Sequence, residues 1–68
     1  MLPGMFRCEA TTTTGERLTL YGHCQTSQQA LRMVLECWRH DGVAVASVEI
    51  WKCEWAKGRP VLTWEKPR

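Results

Sequence analysis

The sequence has no long apolar run and no glycine-rich phosphate loop. No segment approaches the roughly 20 consecutive apolar residues that a membrane-spanning helix needs. The first residues show no apolar segment of the signal-peptide type. The five glycines stand singly, which argues against a phosphate-binding loop. We therefore expect a cytoplasmic protein that does not contact a membrane.

Neither positive nor negative charge is in large excess. Nine basic and seven acidic residues give a net charge of +2, and the charges are interspersed along the chain. A nucleic-acid-binding protein usually has a clustered basic face, and none is evident here. At 68 residues the chain is long enough for one domain with a small core. This size favours a binding module over an enzyme, because a deep cleft and a core compete for the same residues.

Paired metal ligands and catalytic pairs are missing as well. Four cysteines stand at positions 8, 24, 37 and 53, with no C-x-x-C pair among them. We expect reduced cysteines that act as small hydrophobic residues, with a disulfide framework or a zinc site as the alternatives. His23 and Cys24 are adjacent, and adjacent strand residues point to opposite faces. The sequence therefore predicts no catalytic residue, no metal ligand and no cofactor.

Alternation and helical periodicity predict the elements of a small α+β fold. Strands are expected at about 5–14, 17–24, 45–56 and 60–65, and a helix at about 27–41. Thr26 and Gln29 form a capping-box signal at the helix start, and Gly42 is typical of a helix end. A right-handed crossover gives a single ββαββ domain over residues 1–68, with an antiparallel sheet of strand order 2-1-3-4 and one helix on one face.

Tryptophan is unusually abundant, and three of the four tryptophans lie near the C-terminal end. A two-residue turn at Lys57-Gly58 would place Trp51 opposite Trp64 and put both on one face with Trp55. If Val48 and Ile50 face the helix, these indoles lie on the open face and mark an interface. A β-bulge near residues 49–51 would instead turn them toward the helix as core. Trp38 lies on the apolar stripe of the helix and is predicted to be core.

In size and element order the chain resembles small phage-encoded anti-CRISPR proteins that inhibit type I systems. The matching segments are the strand Leu18-Thr-Leu20, the helix start Thr26-Ser-Gln-Gln-Ala30 and the pattern Trp55-x-x-Gly58-x-Pro-x-x-x-Trp64. The resemblance implies a protein that covers a surface of an effector complex, often one that receives DNA or guide RNA. The chain is not strongly acidic, so it is not expected to mimic nucleic acid.

These observations lead to a functional hypothesis with two alternatives. The chain is expected to be a non-enzymatic inhibitor that binds a bacterial host protein or ribonucleoprotein, in the host cytoplasm if it is phage-encoded. The alternatives are a single-stranded nucleic-acid-binding module that uses the open sheet face and a self-associating module such as a homodimer. The predicted partner-binding residues are Trp51, Trp55, Trp64, Lys57, Arg59, Tyr21, Arg7 and Lys52.

Overall fold

The computed structural model confirms the α+β architecture with one helix and a four-stranded antiparallel sheet. The structure describes residues 4–53 and 55–67. The elements are β1 (Gly4–Thr12), β2 (Arg17–Cys24), α1 (Ser27–His40), β3 (Val45–Trp51) and β4 (Leu62–Glu65). The strand order is β2-β1-β3-β4. Strands β1 and β3 are therefore central, and β2 and β4 are the edges.

The β1–β2 hairpin follows the alternation of the sequence. Cys8 pairs with Leu20 and Arg7 with Tyr21, so apolar and polar side chains face opposite sides of the sheet. The turn begins at Thr12, whose hydroxyl accepts a hydrogen bond from the Glu16 N–H at 3.0 Å. Gly15 has a φ of +91°, a conformation that glycine adopts without steric cost.

The helix α1 begins and ends at residues with capping chemistry. The Thr26 hydroxyl accepts a hydrogen bond from the Gln29 N–H at 3.1 Å. The Gln29 side chain reaches back to the N–H of Gln25 at 3.0 Å, one residue earlier than in the usual capping box. Gly42, with a φ of +77°, follows the last turn. Both ends of the helix thus carry the capping residues that the sequence predicts.

The core lies between α1 and one face of the sheet. Trp38 is 4% exposed, which confirms its predicted place in the core, whereas Cys37 beside it is exposed. A register shift in the β1–β3 pairing leaves Ala46 without a partner, because Thr11 pairs with Ser47 and Thr12 with Val45. The bulge thus lies earlier in β3 than residues 49–51. The helix-facing core consists of Phe6, Cys8, Ala10, Cys24, Ala30, Val34, Trp38, Val45, Val48 and Ile50.

The β3–β4 pairing differs from the predicted hairpin by three residues. Val48 pairs with Trp64 and Ile50 with Leu62, so Trp51 is not opposite Trp64. An odd shift reverses the face on which every β4 side chain lies. The strands are also shorter than expected, and residues 52–61 form a long connection rather than a tight turn at Lys57-Gly58.

Candidate protein-binding surface

Trp51 ends β3 on the open face of the sheet, as expected if Val48 and Ile50 face the helix. It is nevertheless only 8% exposed. Its indole N–H donates a hydrogen bond to the Gly58 carbonyl oxygen at 3.1 Å. The connection between β3 and β4 over residues 52–61, called the pinned loop from here on, folds back against this ring in the part that the structure describes, residues 52–53 and 55–61. The prediction that Trp51 is an accessible contact residue is wrong, because the loop covers it.

Arg7 supports the same loop from the neighbouring strand. Its guanidinium carbon lies 4.5 Å from the centroid of the Trp51 ring, a cation–π distance. Its Nη2 donates a hydrogen bond to the Ala56 carbonyl oxygen at 2.9 Å. Its Nε lies 3.0 Å from a carboxylate oxygen of Glu9. Arg7 was predicted to contact a partner, and the structure places it instead under the loop, where it is largely buried.

Trp64 lies on the other side of the sheet from Trp51. It pairs with Val48, shares the helix-facing side with Leu62, and packs against the core while half-buried. The predicted cluster of three indoles on one face is therefore wrong. The shifted β4 register separates Trp64 from Trp51, and the early end of β3 leaves Trp55 in the loop.

Trp55 is the most exposed large apolar side chain among the described residues. It is 77% exposed and stands on the pinned loop. Its backbone N–H lies 3.4 Å from the Cys53 sulfur, and the Cys53 carbonyl accepts a hydrogen bond from Ala56 at 3.2 Å. The local turn that presents Trp55 is thus held by its own backbone as well as by Arg7 and Trp51.

Basic side chains surround Trp55 in the sequence of the pinned loop. Lys52, Lys57 and Arg59 are all exposed. Residues 52–61 hold three basic residues and one acidic residue, whereas the rest of the chain holds six of each, so the formal net charge of +2 belongs to this loop. Tyr21, which pairs with Arg7 from β2, is 54% exposed and adds a second accessible aromatic ring on the open face.

The remainder of the open face is paired ionically. Arg17 lies 2.8 Å from a Glu9 carboxylate oxygen and 3.7 Å from a Glu49 carboxylate oxygen. These groups neutralise each other, so this part of the sheet offers neither a basic stripe nor an apolar patch. Of the predicted contact residues, those that remain accessible are Trp55, Tyr21, Lys52, Lys57 and Arg59.

Sequence reasoning missed the groups that fix the loop. Two of them are backbone carbonyl oxygens, at Ala56 and Gly58, and a backbone acceptor leaves no mark in a residue pattern. It also missed that the helix-side face of β4 is only partly covered. The sequence could have indicated this, because a helix about 10 Å wide covers only two or three strands spaced about 4.8 Å apart.

The four cysteines, all of which the structure describes, are free thiols. Cys8 and Cys24 are buried and unpaired, and Cys37 and Cys53 are exposed and unpaired. Cys24 lies opposite Gly4, which is four positions along β1 from Cys8. At strand spacing, the Cα atoms of Cys8 and Cys24 are therefore separated by roughly 13 Å along the strand direction. That separation is too long for a disulfide. Burial, with a smaller contribution from Cys24, raises the pKa of Cys8 to about 11, so this thiol is held in its unreactive protonated form.

Residues 4–53 and 55–67 contain no cluster of metal-ligand side chains and no helix that could span a membrane. No three His, Cys, Asp or Glu side chains in this part of the chain lie close enough to share a metal ion. None of its helical structure has the length and apolarity needed to cross a bilayer. His23 is exposed on β2 while Cys24 is buried, so the two adjacent side chains point to opposite sides.

Comparison of the chain with protein-family models, with curated proteins and with solved structures finds no match.

Proposed function

We propose that the protein is a non-enzymatic binding module that inhibits a bacterial protein or ribonucleoprotein by covering part of its surface. The observation that carries the proposal is Trp55, 77% exposed on a loop that Trp51 and Arg7 fix to the sheet. A large ring on a preordered segment loses little conformational freedom when it is buried by a partner. Tryptophan and arginine also dominate the energetically important positions of protein interfaces.

Charge indicates the kind of surface that would be covered. The net positive charge of the chain belongs to the pinned loop, where Lys52, Lys57 and Arg59 are exposed. A partner with an acidic surface around an apolar pocket would match both the indole and the basic residues. Complementary charge of this kind raises the association rate and excludes wrong partners.

Nucleic acid is the less favoured partner for the open sheet face. Base stacking on that face would be left to Tyr21, because the ring of Trp51 is covered by Arg7 and the pinned loop. It would also require basic groups for phosphates, and Arg7 and Arg17 are both paired with Glu9. The arrangement supports protein recognition through the loop instead of base stacking on the sheet.

The resemblance to anti-CRISPR proteins names the first partner to test. A type I CRISPR effector complex should bind the chain by biolayer interferometry, and Trp55→Ala should weaken binding about 30-fold. That factor corresponds to the roughly 2 kcal/mol of a central aromatic contact. Lys57→Gln combined with Arg59→Gln should mainly slow association. Arg32→Gln, which removes an exposed cation of the helix away from the pinned loop, is the matched control and should change neither quantity.

The outcomes separate the three functional classes. Binding by Trp55→Ala equal to that of the unchanged chain rejects the pinned loop as the contact. Absence of binding to type I effector complexes rejects that partner class. A fluorescent oligothymidine that binds at 50 mM salt and dissociates at 200 mM salt would favour the nucleic-acid module. A concentration-dependent mass in sedimentation would favour self-association.

A further inference from the structure

The helix covers one strand on its own side of the sheet only in part. It packs against β2, β1 and β3, while β4 lies beyond it at the edge. Leu62 and Trp64 of β4 point to the helix side and remain half-exposed. Beside them is a groove with a volume of about 410 Å³. Its apolar lining consists of Leu35, Val43, Val45 and Trp64.

The groove has a positive rim. Arg39 lines it from the helix and Lys66 from the residue after β4. Both oxygens of Glu36 bind Nη2 of Arg39, at 3.1 and 3.0 Å, which leaves Nη1 and Nε of that guanidinium for another acceptor. No ion pair involves Lys66 among the described residues. A second hollow along the helix shares Leu35 and Arg39 with this groove. Glu36 is the one acidic residue in the lining of the two.

The backbone of β4 offers hydrogen bonds next to the groove. Lys66 donates its N–H to the Ala46 carbonyl at 2.8 Å, so Lys66 bonds inward to β3. In an antiparallel ladder every second residue bonds the same way. Thr63 and Glu65 therefore direct their N–H and C=O groups outward, at an edge that no described strand covers.

We infer that this groove and edge together take an extended peptide segment of a protein partner, with apolar side chains for the groove and carboxylates for its rim. The segment would add to β4 as a fifth strand, with its backbone on Thr63 and Glu65. Alternate side chains would lie beside Trp64, and the carboxylates would approach Arg39 and Lys66. This surface is separate from the pinned loop, so the inference stands whether or not that loop binds a partner.

The other edge of the sheet shows why β4 is favoured. On the helix side of β2, the end of the Met33 side chain lies where a Cβ at Gly22 would be. The Met33 sulfur also lies 4.0 Å from the sulfur of Cys24. The helix therefore packs on the helix-side face of β2, whereas a groove remains between it and β4.

The test uses the full chain and the blocked peptide acetyl-Glu-Thr-Val-Thr-Val-Thr-Glu-amide. Its valines and glutamates share one side of an extended strand. Titrated to about 1 mM into the ¹⁵N-labelled chain, it should shift the amide signals of Thr63 and Glu65 and the indole signal of Trp64. Arg39→Gln combined with Lys66→Gln should raise the Kd about threefold to fivefold, as expected for exposed ion pairs. Both side chains are exposed, so the fold should be unaffected.

Matched controls make the inference falsifiable. Arg59→Gln, which removes a cation from the pinned loop, should leave the peptide Kd unchanged. A peptide with lysine in place of both glutamates should bind more weakly, and one with proline at the central threonine should lose the shifts at Thr63 and Glu65. Equal binding of the lysine peptide, or no shift in β4 or the groove, would overturn the inference. A dimer whose Thr63 and Glu65 amides are protected without peptide would assign the groove to a second copy and would also overturn it.

Discussion

Residues 4–51 and residues 52–67 use aromatic side chains for different purposes. Every buried core residue that the structure describes lies in the first region, including Trp38 and the end of β3, while Leu62 and Trp64 pack against this core from the second. In the second region, none of the residues that the structure describes is buried. The first region therefore supplies the stability of the fold, and the second supplies accessible surface. Trp51 belongs to the first region by position and contacts the second through its indole N–H.

The comparison shows that tryptophan content alone does not reveal the role of a tryptophan. Trp38 fills the core, Trp51 fixes a loop, Trp64 lines a groove, and Trp55 stands in solvent. What distinguishes them is the element that carries each ring and the face on which that element places it. Substitutions in the two regions should consequently separate stability from binding.

The largest difference in the free energy of unfolding is expected between substitution of Trp38 and substitution of Trp55. Trp38→Ala should lower the free energy of unfolding by about 3–5 kcal/mol, because the removed ring leaves a cavity between the helix and the sheet. Such a loss is comparable with the whole stability of a small domain. Trp55→Ala should change the free energy of unfolding by less than about 0.5 kcal/mol. Urea unfolding followed by circular dichroism measures both, and similar losses would contradict the division between the regions.

A second contrast concerns the thiols of the two regions. The pKa of Cys8 is raised to about 11 from an ordinary 9.0, so the unfolded chain loses this proton at a lower pH than the folded chain. The stabilisation from this group is complete below pH 9 and is lost as the pH rises to 11. The loss should reach about 2 kcal/mol at pH 11.

The measurement compares urea unfolding between pH 8 and pH 11 under reducing conditions. Cys8→Ala should be less stable at pH 8 because of the cavity, but its stability should fall less steeply with pH. Cys53→Ala, which removes an exposed thiol from the pinned loop, should keep the full slope. If the free energy of unfolding falls with pH equally steeply in all three proteins, burial of Cys8 does not cause the pH dependence.

The same division explains which structural features could be predicted from sequence. Along β1, Phe6, Cys8 and Ala10 alternate with polar residues, and burial of one face leaves only one possible assignment. Between β3 and β4 the register depended on an assumed turn at Lys57-Gly58. A three-residue error there was enough to place Trp64 on the wrong face. Trp51 lies on the open face, one of the two alternatives that the sequence left, but its burial depends on the Gly58 carbonyl, which no side-chain pattern encodes.

The smallest expected effect tests the place where the two regions meet. Trp51→Phe keeps an aromatic ring beside Arg7 but removes the hydrogen bond to Gly58, which should cost about 1 kcal/mol. Because that bond fixes the loop and not the core, we expect the loss to appear mainly as local opening. Trypsin should then cleave the native chain after Lys57 about fivefold faster, while the midpoint of thermal unfolding changes little.

Trp64→Phe is the matched control for this experiment, since it shortens an aromatic side chain on the opposite face of the sheet. Cleavage after Lys57 should proceed in that variant at the rate of the unchanged chain. If Trp64→Phe accelerated cleavage as much as Trp51→Phe, loop opening would follow general destabilisation of the domain. If neither variant did, the contact between Trp51 and Gly58 would not hold the loop, and Trp55 would lose the preordered support on which its proposed role in binding depends.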